Sequence, residues 1–149
     1  MKKIIIIVIA LFILNNCGYT PIYSSKEKNF YIEKISKKNS SKLNSKFANN
    51  LEVFSNKNSK NIIQIEIDSV KKIETSQKDN KGDPSRFEMT IVLNMNVISK
   101  NYNKTKTFSS NFNYSNDSNK FSLKQYEKEI ENNLISKIVE KSIIYLSDF

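Results

Sequence analysis

Residues 86–99 (RFEMTIVLNMNVIS) set the strongest constraint on the fold: Phe87, Met89, Ile91, Leu93, Met95 and Val97 recur at every second position. In a strand, successive side chains point to opposite faces, so these six apolar groups share one face. Burying each is worth roughly 1.5–3 kcal/mol, which a chain cannot forgo six times over. The segment is therefore expected in a sheet with one covered face. Val92 and Ile98 on the other face show that this side is not wholly solvated. The rest of the chain must supply strand neighbours and a cover.

Neighbours are legible on both sides. Residues 61–76 begin with Ile63, Ile65 and Ile67 alternating with Gln64, Glu66 and Asp68, a strand with one buried face. Residues 79–85 read as a turn. After a short turn at 101–103, residues 104–114 return with Lys106, Phe108, Ser110, Phe112 and Tyr114 on one face, so 87–97 and 108–114 predict an antiparallel hairpin. Residues 30–36 (FYIEKIS) make a short strand candidate.

The cover is helical. Leu43, Phe47, Leu51 and Phe54, with Ala48 beside them, form an apolar stripe over residues 40–54, and Lys42, Lys46, Asn49, Asn50 and Glu52 face away. Asn39 or Ser40 is the expected cap. Following a polar loop at 113–120, Ser122-Leu-Lys-Gln125 matches a capping box with Ser122 at the N-cap. Leu123, Tyr126, Ile130, Leu134 and Ile138 then stripe a final helix of about 35 Å, continued by Ile135, Val139, Ile143 and Leu146. A coiled-coil partner helix is the other reading of that stripe. The predicted order is β-α-β-β-β-α, an α+β class fold: a two-layer α/β sandwich with a four-stranded sheet and two helices on one face. The first crossover is right-handed if its strands are parallel. The uncovered sheet face is a candidate docking surface.

At the N-terminus, Lys2 and Lys3 precede an unbroken apolar run over residues 4–14. A spanning helix needs about 20 apolar residues, so the run has the size of a signal h-region and not of an anchor. Cys17, the single cysteine, stands where the run ends. Leu14-Asn15-Asn16-Cys17 resembles a bacterial lipobox, with Leu14 and Gly18 fitting and Asn16 standing where a small residue is usual. The same residues admit a plain cleaved signal with a free thiol, or an uncleaved anchor. One unpaired thiol in an exported chain is a liability that thioether lipidation removes. A single acyl chain binds membranes reversibly, whereas two or more anchor stably. The expected organisation is a signal peptide at 1–16, a lipidated tether at 17–29 and a single domain at 30–149.

Removing the signal lowers the formal charge from +9 to +7, because two lysines leave with it. Residues 24–60 and 86–120 hold most of the surplus, which favours anionic lipid headgroups, lipid-linked phosphates or an acidic partner; export disfavours nucleic acid. Lys, Asn and Ile enrichment is also what an AT-rich genome produces. With no histidine and one blocked cysteine, His-assisted nucleophilic catalysis and Cys/His zinc sites are excluded, and no metal or catalytic residue is expected. Ser25-x-x-Lys28 and Ser69-x-x-Lys72 match S-x-x-K, as chance allows in a chain rich in both. Asp79-Asn-Lys-Gly-Asp83 lacks the alternate oxygens and closing Glu of a calcium loop and reads as a turn. Two glycines leave no phosphate-cradling loop. The chain reads as no enzyme. Arg86 is the only arginine among 24 cationic residues, which hints at bidentate pairing with carboxylate or phosphate; a local pair with Asp83 is the simpler reading.

Taken together, the chain resembles the lipopolysaccharide-assembly lipoprotein family (LptE-type). Cys17-Gly18-Tyr19-Thr20-Pro21-Ile22-Tyr23 is similar to the C-G-aromatic-x-P-[Leu/Ile]-Tyr start of alphaproteobacterial members. Pro84-Ser85-Arg86-Phe87 resembles the opening of their central strand, and Phe112-Asn-Tyr-Ser115 with the long final helix also recurs there. The glycine pair expected in the second hairpin is replaced by Asn101-Tyr-Asn103 and Ser109-Ser110. The resemblance implies an α/β sandwich that plugs a large outer-membrane β-barrel (LptD-type) and supports lipopolysaccharide insertion. It also implies an outer-membrane location on the periplasmic side, with a diacylglycerol and an N-acyl chain on Cys17 and no other cofactor. An auxiliary lipoprotein of an ABC-type lipid transporter is the alternative, and a Ser/Lys hydrolase a distant third. The anion or partner contacts expected are Arg86, Lys104, Lys106 and Lys120.

Overall fold

The computed structural model describes residues 29–148. The signal, Cys17, Ser25 and nearly all of the tether lie outside them. The elements are β1 (Tyr31–Lys37), α1 (Lys42–Glu52), β2 (Ile62–Lys78), β3 (Pro84–Ile98), β4 (Asn103–Ser115) and α2 (Lys120–Ser147). They form the α+β fold expected, with a mixed sheet in the order β1-β2-β3-β4. β1 runs parallel to β2, and β2–β3 and β3–β4 are antiparallel.

Alternation decides which way the sheet faces. Ile63, Ile65, Ile67, Met89, Ile91, Leu93, Met95 and Val97 are all at most 1 % exposed. Phe47 and Leu51 of α1 and Leu134, Ile135 and Ile138 of α2 close over them in one continuous core. Lys46 of α1 and Lys71 of β2 both reach Glu131 of α2, which places both helices on the same side. The final helix is thus a sheet cover and not a coiled-coil partner. None of the helices in the described residues is long and apolar enough to cross a membrane.

Several boundaries differ from expectation for local reasons. The last helix is not capped by Ser122. Asn119, in extended conformation, accepts from the backbone N–H of Phe121 and Ser122, so the helix starts at Lys120 and Ser122 sits inside its first turn. Its 28 residues make it about 42 Å long. The first helix is capped by Ser41, whose Oγ accepts from Asn44 N at 3.0 Å; Asn39 supports the cap through Ser41 N at 3.1 Å. The central hairpin is longer than its apolar pattern, because backbone pairing continues through Lys78 opposite Pro84 after the apolar side chains run out. Pro84 opens its strand, where a missing N–H costs least. Gly82, at φ +88°, turns the corner. β4 likewise runs on to Ser115, opposite Arg86.

β1 covers only the first part of β2, with its last pair at Lys37 and Ile67. From there to Lys78 the outer edge of β2 has no strand neighbour among the described residues. Lys71, Lys72, Glu74 and Lys78 stud that edge, charges that discourage a stray strand from adding to it.

Candidate functional site

The uncovered sheet face follows directly from the register. Asp68, Asn94 and Thr107 form one rung, and Glu66, Asn96 and Thr105 the next. Side chains bond along the rungs: Thr107 donates to Asn94 at 2.7 Å, Thr105 to Asn96 at 3.2 Å, and Asn96 to Glu66 at 3.2 Å. Asn111 donates to Glu88 in the same manner. A shallow depression of about 530 Å³ opens over this region, with Ser36, Lys38, Asp68, Asn94 and Thr105 in its walls. β4 contributes Thr105, Thr107, Ser109, Asn111 and Asn113 to this face, and no charge. Such a surface offers donors and acceptors across its width, with charges on β2 and β3 (Glu66, Asp68, Glu88) and none on β4, which suits docking of its β4 side against another polar wall.

On the covered side, polar side chains lock the layers together. Glu131 accepts from Lys46 and Lys71, each at 2.6 Å. Burial alone opposes ionisation of Glu131, but the two ammonium groups outweigh it and hold the carboxyl below its ordinary range. Asn44 is fully buried; its Nδ2 donates to the backbone oxygen and Oδ1 of Asn39, and its own Oδ1 accepts from Ser69 Oγ at 2.5 Å. At the other end of the sheet, the Tyr114 hydroxyl donates to Glu127 of α2 at 2.7 Å. Burial first, then this carboxylate, raise the phenol above its ordinary range.

The four cations expected to meet an anion do not gather in one place. Arg86 lies opposite Ser115, whereas Lys104 lies opposite Val97, eleven residues further along β3, about 36 Å away. Lys106 stands beside Lys104 on the same face of β4, opposite Met95. Lys120 donates to Asn116 Oδ1 and the backbone oxygen of Asp117, both at 3.0 Å, as part of the turn into α2. Arg86 makes no ion pair with Asp83; it borders a small open depression with Gln77 and Asn113. Arg86 and Lys120 thus mark one end of the sheet, and Lys104 and Lys106 the other. A single anion-binding cluster of these four is ruled out by the strand register. Cys17 lies outside the described residues.

Of the two S-x-x-K matches, only Ser69 and Lys72 fall among the described residues. Ser69 points into the core and spends its proton on Asn44, while Lys72, three positions on, has the opposite parity and faces the other side of the sheet. In the turn at 79–83, Asp79 Oδ1 accepts from the backbone N–H of Lys81 and Asp83, both at 2.9 Å, which is the role of a turn residue. Among the described residues no group of His, Cys, Asp and Glu is placed to hold a metal.

No family model matches this chain, and no curated protein matches it by sequence. Solved structures do match by fold. Rare lipoprotein B of Shewanella oneidensis superposes with a TM-score of 0.55 at 12 % identity, over 78 % of this chain and 95 % of its own. Lipoprotein B of Nitrosomonas europaea gives 0.55 at 11 %, over 78 % and 84 %. A minor lipoprotein of Acinetobacter baumannii gives 0.54 at 11 %, over 77 % and 92 %. At such identities the likeness establishes a shared fold across nearly the whole of those domains, and these structural neighbours are bacterial lipoproteins.

Proposed function

We propose that the protein is a noncatalytic outer-membrane lipoprotein, anchored through acylated Cys17, that plugs an LptD-type β-barrel and supports lipopolysaccharide insertion. One observation carries this reading. A start of Cys17-Gly18-Tyr19-Thr20-Pro21-Ile22-Tyr23 precedes a β-α-β-β-β-α sandwich of the kind found in bacterial lipoproteins. The physics of a plug is met as well. A barrel lumen is polar and wet, so its occupant needs a core of its own and a surface that bonds to water or wall equally well. The core is closed by the two helices, and the open face bears Thr and Asn side chains already bonded in rungs, with Glu66 and Glu88 as further acceptors. The experiment is affinity purification of the lipoprotein from solubilised outer membranes. A large β-barrel is expected to accompany it. Recovery of the lipoprotein alone refutes the reading, and an inner-membrane transporter in its place favours the ABC-type alternative. Mass spectrometry of the mature N-terminus tests the anchor separately, with acylated Cys17 as the expected first residue.

A further inference from the structure

The two ends of the sandwich differ in charge, and the tether joins only one of them. Asn29 and Phe30 are clasped by the loop between α1 and β2: Ser59 Oγ donates to Asn29 O at 2.7 Å, and Asn56 N to Phe30 O at 3.0 Å. The turn between β3 and β4 lies at the same end, because Ile98 and Asn103 share the first rungs with Gln64. Ser99 N donates to Tyr102 O at 2.9 Å and closes that turn. Residues 53–61 and 99–102 carry Lys57, Lys60 and Lys100, all exposed, and no acidic residue. Val53 beside them is 68 % exposed. At the far end the signs are mixed: Asp79, Asp83 and Asp117 stand with Lys78, Lys81, Arg86 and Lys120.

Geometry turns this asymmetry into an orientation. Twelve residues separate Cys17 from Asn29. Twelve steps of chain reach about 40 Å at most. The far end lies roughly a helix length, about 40 Å, beyond the attachment point. A lipid on Cys17 therefore keeps the lysine-bearing end within about 40 Å of the headgroups, while the far end can stand about twice as far. A negatively charged leaflet attracts lysines within about a Debye length, so proximity and charge act in the same direction. We propose that the end of the sandwich bearing Lys57, Lys60 and Lys100 rests on an anionic lipid surface, and that the β2–β3 hairpin end projects away from it. The proposal builds on the anchor at Cys17 and is independent of any barrel.

The chain has no tryptophan, which makes a single introduced one an unambiguous reporter. The test places Asn101→Trp at the tether end and Asn80→Trp at the hairpin tip of the mature chain. Each is coupled through Cys17 to a maleimide-headgroup lipid, so that the anchor is imposed even where natural acylation fails. Vesicles are phosphatidylcholine with or without about a third phosphatidylglycerol, with brominated acyl chains as quencher. Quenching of Asn101→Trp is expected in anionic vesicles, several-fold above that of Asn80→Trp, and is lost in high salt. The triple variant Lys57→Ser, Lys60→Ser, Lys100→Ser should abolish the difference. Asn58→Trp, in the other basic loop, repeats the measurement should Asn101→Trp misfold. Equal quenching at both ends, none at the tether end, or quenching indifferent to charge and salt overturns the proposal. Because no barrel is present, these results leave the plug reading to its own test.

Discussion

Replacing Glu131 with glutamine should destabilise the domain in a way that depends on pH. The carboxylate holds two ammonium groups at 2.6 Å, one from the neighbouring helix α1 and one from β2 of the sheet. Its side chain is 16 % exposed, while those of Lys46 and Lys71 are 37 % and 40 % exposed. An exposed ion pair contributes roughly 0–1 kcal/mol, and a hydrogen bond to a charged group roughly 1.5–3 kcal/mol when well buried. Two contacts between a mostly buried anion and solvated cations fall between these limits, so the joint contribution is about 1–2 kcal/mol. In a domain of this size that amounts to a fall of roughly 4–8 °C in Tm.

Glutamine keeps the shape and one acceptor, but removes the charge and turns an NH2 group toward one of the two lysines. The folded carboxyl titrates below its ordinary range, so the unfolded state binds the proton first as pH falls. The stabilisation is therefore complete above the ordinary carboxylate pKa and disappears as pH drops through the lowered folded value. Urea denaturation of the parent and Glu131→Gln should give curves well separated at neutral pH that converge in acid. A difference of the same size at neutral and acid pH would show that the charge is not what matters. No difference at neutral pH would mean that the solvated lysines lose as much entropy as the pairs return. Double-mutant cycles of Glu131→Ala with Lys46→Ala and with Lys71→Ala should each give a coupling of about 0.5–1 kcal/mol.

Three further outcomes follow from the packing. Asn119→Ala should cost about 1 kcal/mol by thermal denaturation, while Ser122→Ala changes stability by only a few tenths, since Asn119 holds the cap. Asn44→Ala should cost about 1–3 kcal/mol, because it leaves the Ser69 hydroxyl buried without its acceptor; Asn44→Ala with Ser69→Ala should cost less than the sum of the single variants. Leu134→Ala, which opens a cavity beneath α2 in a side chain 1 % exposed, should cost roughly 2–5 kcal/mol and be read in the urea midpoint with an unchanged slope.

Element order was legible because each element carries its own period. Six alternating apolar residues can be accommodated in only one way, and the stripe of α2 repeats often enough to mark a helix. Its start was not legible for an equally local reason. Ser122 and Gln125 have the spacing of a capping box, and Asn119, the true cap, is one of 21 asparagines with nothing in composition to single it out. The buried Asn44–Ser69 pair did leave a trace. Asn44 stands three and seven residues before Phe47 and Leu51, on their face, and Ser69 continues the buried parity of Ile63, Ile65 and Ile67. A polar residue on the apolar face of a helix, and another on that of a strand, need partners, and each is the other's. Glu131 left no such trace, because its lysines lie 85 and 60 residues away.

The basic residues show most clearly what linear charge counts miss. A run of cations in sequence becomes a patch only if the chain turns back before it has travelled far. Within β3 and β4 it does not: each residue advances about 3.3 Å, so Arg86 and Lys104 are driven to opposite ends of the same sheet. Loops behave in the opposite way, since they collect at strand ends. Lys57 and Lys60 from one connection and Lys100 from another are brought to one end by the parallel β1–β2 pairing and the antiparallel β2–β3 pairing. The tether enters at that same end because β1 and β2 start together, Tyr31 opposite Ile62. An antiparallel β1 would have started opposite Ile67 and brought the chain in at mid-sheet instead. In the proposed orientation, the direction of one strand decides which end meets the bilayer, and the α1 crossover permits that direction where a short hairpin does not.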